Sequence, residues 1–285
     1  MKVTFLTTST ASTDNYSFFS LGNPTTDTAV LDYIEGLGAE AIVETYRSPY
    51  QEGETYSNKR YGKRQIIVAF TLMGNSSTDL NNKENEIYDK FNVHGSTGTK
   101  LKIEKGSTYE IDALPSRAVL AQKREGLIRK GVVTFDCLDP WFKLLPETTV
   151  SMNAYSSGFT FPFSFPVYFG LSGTAQTINN SGQIPTPMTL VMSGIDTPVL
   201  TRSTDKIQLN LDLTSTETVT IKTDFGVKSV IKVAGTSTTN EYSSLSVDSN
   251  LFYLNKGTNT LSYTNAGQFS NPTFKVKYYK RYAGI

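Results

Sequence analysis

The strongest strand pattern in the first half of the chain is Arg-Gln-Ile-Ile-Val-Ala-Phe-Thr-Leu-Met at residues 64–73, which is apolar on both faces once past its polar start. A strand with no face to give to water is expected centrally in a sheet. The period then changes. Leu80, Ile87, Tyr88 and Phe91 fall close to one helical stripe, with Thr78 or Asp79 placed to cap its N-terminus and the glycines of 93–98 placed to end it. Short β-like runs follow at 101–105, 109–114 and 117–122. The last turns at Lys123-Arg124-Glu125-Gly126 into 127–138, where Val133, Phe135 and Cys137 alternate with Thr134 and Asp136. This half reads as a sheet with one helix.

The character changes after Asp139-Pro140-Trp141-Phe142. Pro140 restricts its own backbone and that of Asp139, so a strand ending at Leu138 is expected to leave the sheet here. The domain boundary is placed at this point, giving domains of residues 1–142 and 143–285. Just beyond it, Phe159, Phe161, Phe163, Phe165 and Phe169 share one side of an extended run that Pro162 and Pro166 restrict to an edge strand or a polyproline-like strap. Packing on a sheet face or in the domain junction explains that aromatic side better than glycan stacking or membrane contact. Further on, Ile207, Leu209, Leu211 and Leu213 interleave with Gln208, Asn210, Asp212 and Thr214, and Phe274, Val276 and Tyr278 interleave with Lys275, Lys277 and Tyr279. Each set reads as one half-buried antiparallel strand. Turn residues at 224–226 and 255–257 separate further strands at the spacing of a β-sandwich. The expected fold class is mainly β: an N-terminal β-sheet or sandwich domain with one α-helix, then a C-terminal antiparallel β-sandwich.

Composition supports this reading. Hydrophobic residues make up 38% and charged residues only 19% of 285 positions, and Thr, Ser, Asn, Tyr and Phe are abundant, a mixture that favours strands. A formal net charge of +1 excludes the basic excess of a dedicated nucleic-acid binder and points to protein surfaces as partners. With Cys137 as the single cysteine, no intramolecular disulfide is possible. The opening Met1-Lys2-Val3-Thr4-Phe5-Leu6-Thr7-Thr8 is too short an apolar run for a signal-peptide core, and no segment approaches the ~20 apolar residues of a membrane span.

Candidate chemistry is sparse. His94 is the single histidine, which excludes a His-rich metal site, and its Gly/Ser/Thr surroundings suit a solvated side chain. Cys137 alternates with strand residues and reads as a small core hydrophobe. There is no phosphate-cradling loop ending in Gly-Lys-Ser/Thr, no nucleophile elbow and no zinc-protease helix. The carboxylate pairs Glu52 with Glu54 and Glu84 with Glu86 have glycosidase-like composition, but solvated faces explain them better. The basic groups Lys59-Arg60 with Lys63-Arg64, and Lys123-Arg124 with Arg129-Lys130, are considered as interface patches and favoured as ordinary hairpin-end charges. No catalytic residue, cofactor or metal ligand is expected, and the chain is read as a non-enzyme.

The order of segments resembles a family. Val132-Val133-Thr134-Phe135-Asp136-Cys137-Leu138-Asp139-Pro140-Trp141, closing a first domain with one helix, looks like the first half of siphophage distal tail proteins. The second half is closer: a proline turn, strand and glycine at residues 180–194, then Val219-Thr220-Ile221-Lys222-Thr223-Asp224, then 254–263, then the terminal 276–285, stand in the family's order. The likeness runs from about Arg64 to the chain end, whereas residues 1–61 lack the family's opening.

This resemblance implies a galectin-like C-terminal sandwich projecting from a six-subunit ring made by the N-terminal domain. It implies a structural part of the virion tail tip, made in the host cytoplasm, with one ring face on the tail tube protein and the other on the tail-associated hub protein. In the family the outer domains often carry receptor-binding proteins, and DNA passes through the lumen without specific binding. The alternative is a carbohydrate-binding β-sandwich protein of the adsorption apparatus, because galectin-like sandwiches bind sugars and Tyr and Phe abound.

Overall fold

The computed structural model describes residues 1–7, 15–19, 29–92, 99–152, 154–155, 172–173, 175–224, 226–265 and 273–285. His94 and the run from Phe159 to Phe169 lie outside the described residues. The chain divides into two compact units, Met1–Leu145 with Tyr282–Ile285, and Pro146–Arg281. Residues 143–145 and the last four residues thus belong to the first unit.

The first unit contains β1 (Lys2–Thr7), β2 (Asn15–Phe19), β3 (Ala29–Glu35), β4 (Ala41–Tyr46), β5 (Thr55–Tyr61) and β6 (Arg64–Met73). These are followed by α1 (Ser77–Lys90), β7 (Thr99–Lys105), β8 (Ser107–Asp112), β9 (Leu114–Leu120), β10 (Ile128–Cys137) and β11 (Phe142–Leu145). From β11, through β8, β7, β1, β2, β3, β6 and β10 to β9, neighbours are hydrogen-bonded into one sheet, with the short strand Arg281–Tyr282 outermost beside β11. All the pairings given register are antiparallel except β2 with β3. Val3 and Phe5 of β1, Leu101 and Ile103 of β7, and Ile66, Val68, Phe70 and Leu72 of β6 belong to one buried cluster, as do Val133 and Phe135 of β10. Strands from distant parts of the sheet share this core, so the sheet curls around it, as large twisted sheets do.

β6 lies between β3 and β10, and its middle is buried on both faces, as its continuous apolar run requires. The helix is capped by Ser76, whose hydroxyl accepts from the Asp79 backbone N–H, ahead of the Thr78 or Asp79 that the sequence reading placed there. Its buried side is Leu80, Glu84 and Ile87, continued by Phe91, while Tyr88 is 48% exposed. At about 100° per residue Glu84 lies ~40° from Leu80, and Tyr88 lies ~80° away, outside the stripe. Phe91 closes the helix against Phe5 and Phe135, with ring centroids 5.1 and 5.8 Å away.

Leu138 is not the point where the chain departs. β10 ends at Cys137, but Phe142–Leu145 pairs with β8 in the same sheet and Phe142 is fully buried in the first core. Proline breaks the hydrogen-bonded strand; it does not prevent the next apolar residues from re-entering the same core.

The second unit contains β12 (Thr148–Met152), β13 (Ala154–Tyr155), β14 (Ser172–Gly173), β15 (Gln176–Asn180), β16 (Thr189–Asp196) and β17 (Val199–Arg202). It continues with β18 (Asp205–Gln208), β19 (Asp212–Lys222), β20 (Ser229–Ala234), β21 (Ser237–Asn240), β22 (Gly257–Thr264) and β23 (Thr273–Tyr278). One sheet has the order β12-β23-β16-β19-β20-β21 and the other β15-β22-β17-β18, with β13 and β14 forming a separate pair. Leu190, Met192, Val219, Ile221, Phe274 and Val276 of the first sheet share a buried cluster with Ile178, Leu200, Ile207, Leu261 and Tyr263 of the second. That arrangement makes an antiparallel two-sheet sandwich.

The alternation at 273–278 is one strand, as read. The alternation at 207–213 is not. Ile207 ends in β18 of one sheet and Leu213 begins in β19 of the other, and the corner is held by Leu209 N–H donating to Pro198 O at 3.0 Å and Asn210 N–H donating to Ser244 O at 2.7 Å. The apolar side chains stay inward across the corner, so the period-2 pattern persists while the strand does not.

Candidate assembly surfaces

The sequence candidates for chemistry do not converge. Cys137 is fully buried in the first core, and burial pushes its thiol up to about 12, which leaves it no thiolate character near neutrality. Glu52 and Glu54 are exposed near the turn between β4 and β5. Among the described residues no group of three His, Cys, Asp or Glu side chains is arranged to hold a metal ion.

Glu84 overturns the expectation of a solvated carboxylate. It is buried, and its Oε2 accepts from Arg124 Nη2 and Arg129 Nη1, each at 2.7 Å. Arg124 also donates to Asn81. Burial alone drives the Glu84 carboxyl upward, but the hydrogen bonds and charges of the two arginines outweigh it and hold the group below its ordinary value. Two of the four cations at 123–130 therefore fasten the β9–β10 hairpin to the helix and are not solvent-facing edge charges.

Arg64 is likewise internal. It is buried, donates through Nη1 to Leu37 O at 3.2 Å and through Nη2 to Ala283 O, and stacks over the Phe142 ring at 4.5 Å. Burial lowers its pKa, and Arg remains charged in proteins nonetheless. The guanidinium thus holds the returning chain end, where Ile285 N–H also donates to Leu37 O and Tyr109 meets Tyr282 edge-on at 5.6 Å. Of the other cations in that group, Arg60 meets Glu44 across β4 and β5 at 3.0 Å, and Lys63 faces Asp136 at 3.9 Å.

What remains exposed is the β4–β5 ribbon, a two-stranded sheet of its own. Every residue of β4 and all of β5 except Thr55 is exposed, including Ile42, Val43, Tyr46, Tyr56 and Tyr61. Its turn is ordered from within: Arg47 Nε donates to Gln51 O at 2.9 Å, Ser48 N–H to Gln51 Oε1 at 3.1 Å, and Gln51 Nε2 to Thr55 Oγ1 at 2.8 Å. At the tip Tyr50 has a positive φ of 68° and its side chain is fully in solvent. An isolated two-stranded ribbon is marginal in water, and this one exposes a contiguous set of aromatic and branched residues. Nothing in the alternation of residues 41–61 marked it in advance, because no side of it faces the core.

A groove of about 480 Å³ lies on the outer face of the first sheet, across β3, β10 and β9. Tyr33, Ala69, Val119 and Val132 form its apolar lining, with Arg117 and Lys130 among its polar residues. A bulge at Leu31/Tyr33 lies at its edge, and Asp32 is held there by Thr71 Oγ1 donating to Oδ2 at 2.8 Å. β9 is the end strand of the sheet.

In the second unit, Arg202 donates to Asp205 and Tyr253 O and lies over Phe252 at 4.5 Å, while Asn250 Nδ2 donates to Asp205 Oδ1 at 2.8 Å. These polar groups beside the hollow lined by Tyr242, Ser249 and Phe252 are spent on one another. The single tryptophan, Trp141, is in the first unit, edge-on to Tyr61 at 4.9 Å.

The first unit is thus a curled sheet with one helix that carries an exposed ribbon and a groove, and the second is an all-antiparallel sandwich. Residues 181–282 match the family of siphovirus-type tail components, C-terminal domain, typified by the SPP1 distal tail protein Dit. Among solved structures, the Dit protein of SPP1, described as a paradigm of the hub adsorption apparatus in phages infecting Gram-positive hosts, superposes with a TM-score of 0.66 at 14% identity, covering 97% of this chain and 98% of that one. A component of the phage P2 baseplate in its activated conformation with calcium gives 0.54 at 15% identity over the same shares. No curated protein sequence matches. The resemblance read from the sequence is borne out: residues 181–282 match the family's C-terminal domain, and the chain's fold is like that of SPP1 Dit.

Proposed function

We propose that this protein forms a six-subunit ring at the tip of a siphophage tail, joining the tail tube to the hub protein. The first unit makes the ring, and the second unit projects outward as a platform for receptor-binding proteins. The observation that carries this reading is the likeness to SPP1 Dit over both units at once, 97% of one chain on 98% of the other, together with the family match in the second unit. The use of its charges supports it, since Glu84, Arg64, Arg124 and Arg129 are committed to holding the first unit together. DNA then passes a wall without a strong phosphate affinity, in keeping with a net charge of +1.

Light scattering coupled to size-exclusion chromatography on the intact protein tests this. The expected mass is that of six chains, with six-fold rings in negative-stain images. A monomer at every concentration, or a dimer with two-fold symmetry, overturns it.

A further inference from the structure

We infer that the tip of the β4–β5 ribbon, with Tyr50 as its anchor, seats in the outer-face groove of the first unit of a second copy of this chain. The inference deepens the ring reading and rests on it in one respect, that the copies assemble head to tail.

Tyr50 is the first observation. A bulky residue at φ 68° is strained, and such strain persists where surroundings enforce it. Here the enforcement is visible: Gln51 N–H donates to Ser48 O at 3.1 Å, and Arg47 and Ser48 bond to Gln51 on either side of Tyr50. The turn that carries Tyr50 is thereby ordered, and its side chain stands fully in solvent. Exposed aromatics are the residues that dominate interfaces, because they bury much apolar area with only two side-chain torsions to fix.

The groove is the second observation. Its lining of Tyr33, Ala69, Val119 and Val132 offers an apolar seat, and about 480 Å³ of space takes an aromatic side chain. Charge supplies the choice of occupant. The tip carries Glu52 and Glu54 with Arg47, and the groove carries Arg117 and Lys130 with Asp32, whose carboxylate already accepts from Thr71 Oγ1. Among the described residues none of Glu52, Arg117 and Lys130 is in an ion pair, in contrast to Arg124 and Arg129 nearby on the same hairpin. An aromatic tip with a net negative charge and an apolar groove with a net positive charge are complementary, and both are on every copy. Because the two patches differ, each contact leaves one tip and one groove free, which is the heterologous geometry that closes into a ring when the rotation allows.

The test uses the full chain. Tyr50→Ala, the double reversal Glu52→Arg with Glu54→Arg, and the double reversal Arg117→Glu with Lys130→Glu are each expected to convert the ring to monomer with an unchanged far-ultraviolet spectrum. The four reversals combined are expected to restore the ring. Independently, Tyr50→Cys and Val119→Cys proteins mixed under mild oxidation are expected to cross-link to each other in preference to themselves, Cys137 being buried and silent. If the rings persist through Tyr50→Ala and both reversals and no Tyr50→Cys to Val119→Cys cross-link forms, this contact is wrong while the ring reading stands. If the parent is monomeric yet the cross-link forms, the contact stands and the six-subunit ring falls. A monomeric parent with no cross-link removes both.

Discussion

Glu84 on the helix and Arg129 on β10, 45 residues apart in sequence, meet at 2.7 Å, and Arg124 reaches the same carboxylate oxygen from the other side of the hairpin turn. The contact makes a charged residue part of the helix's buried face. It also turns a surface hairpin into a brace for the helix, which packs against the sheet through Leu80, Ile87 and Phe91.

Glu84→Gln removes the charge both arginines share and leaves two guanidinium groups facing a neutral amide. The expected loss is roughly 2–3 kcal/mol, below the range for a wholly buried pair because the Arg124 side chain remains 35% accessible. The carboxyl is held below its ordinary value when folded. Its contribution is therefore complete above the ordinary carboxylate pKa and is lost as pH falls through the depressed folded value. Melting temperatures from pH 7 down to 3 check this: the parent should lose stability on the acid side by more than Glu84→Gln does.

Arg64 holds Ala283 O, 219 residues away, beside Leu37 O and the Phe142 ring. Arg64→Met keeps the apolar stem and abandons these carbonyls, at about 2–3 kcal/mol. Arg64→Lys is expected to recover part of that loss at most, since an ammonium lacks the planar fork and the stacking face. Deletion of residues 282–285 should lower the melting temperature in the parent and have a smaller effect in Arg64→Met, which a two-by-two comparison by calorimetry measures.

Gly36 ends β3 at a φ of +84°, and a Cβ added there would lie 2.0 Å from Gln65 O on the adjoining strand. No flexible side chain is available to move aside. Gly36→Ala is expected to cost at least ~2 kcal/mol, read as a fall in denaturation midpoint at unchanged slope. Gly53→Ala, also at positive φ but with open space around its Cβ, is the comparison and should cost less.

Cys137 is expected to be inert toward a thiol reagent in the native protein at pH 8 and to react with full stoichiometry in denaturant. Rapid native labelling would show an accessible thiolate and a different core. Because folding raises this thiol to about 12, its contribution to stability is complete below the ordinary thiol value and is lost as pH rises from there toward 12.

Much of this fold is written locally. Val133, Phe135 and Cys137, and Phe274, Val276 and Tyr278, are buried at every second position because a strand with one face on a core selects its residues with that period. The continuous run at 66–72 marks a strand covered on both faces for the same reason. Local pattern misleads where it records burial without recording the partner. Ile207 to Leu213 keeps its alternation while passing from one sheet to the other, and Glu84 has the polarity of a surface residue although it lies within ~40° of Leu80 on the helix.

The sequence by itself determined that this is a mostly β chain with one helix and a sandwich in its second half, because hydrophobic period, turn residues and composition are properties of neighbouring residues. Only the tertiary structure decided which charges are spent internally, how the last four residues rejoin the first unit, and which ribbon and groove stay bare. Those outcomes depend on pairs such as Glu84 with Arg129 and Arg64 with Ala283. Electrostatic and hydrogen-bond energies fall off within a few ångströms, so a charge's role is fixed by what the folded chain brings beside it and not by its neighbours in sequence.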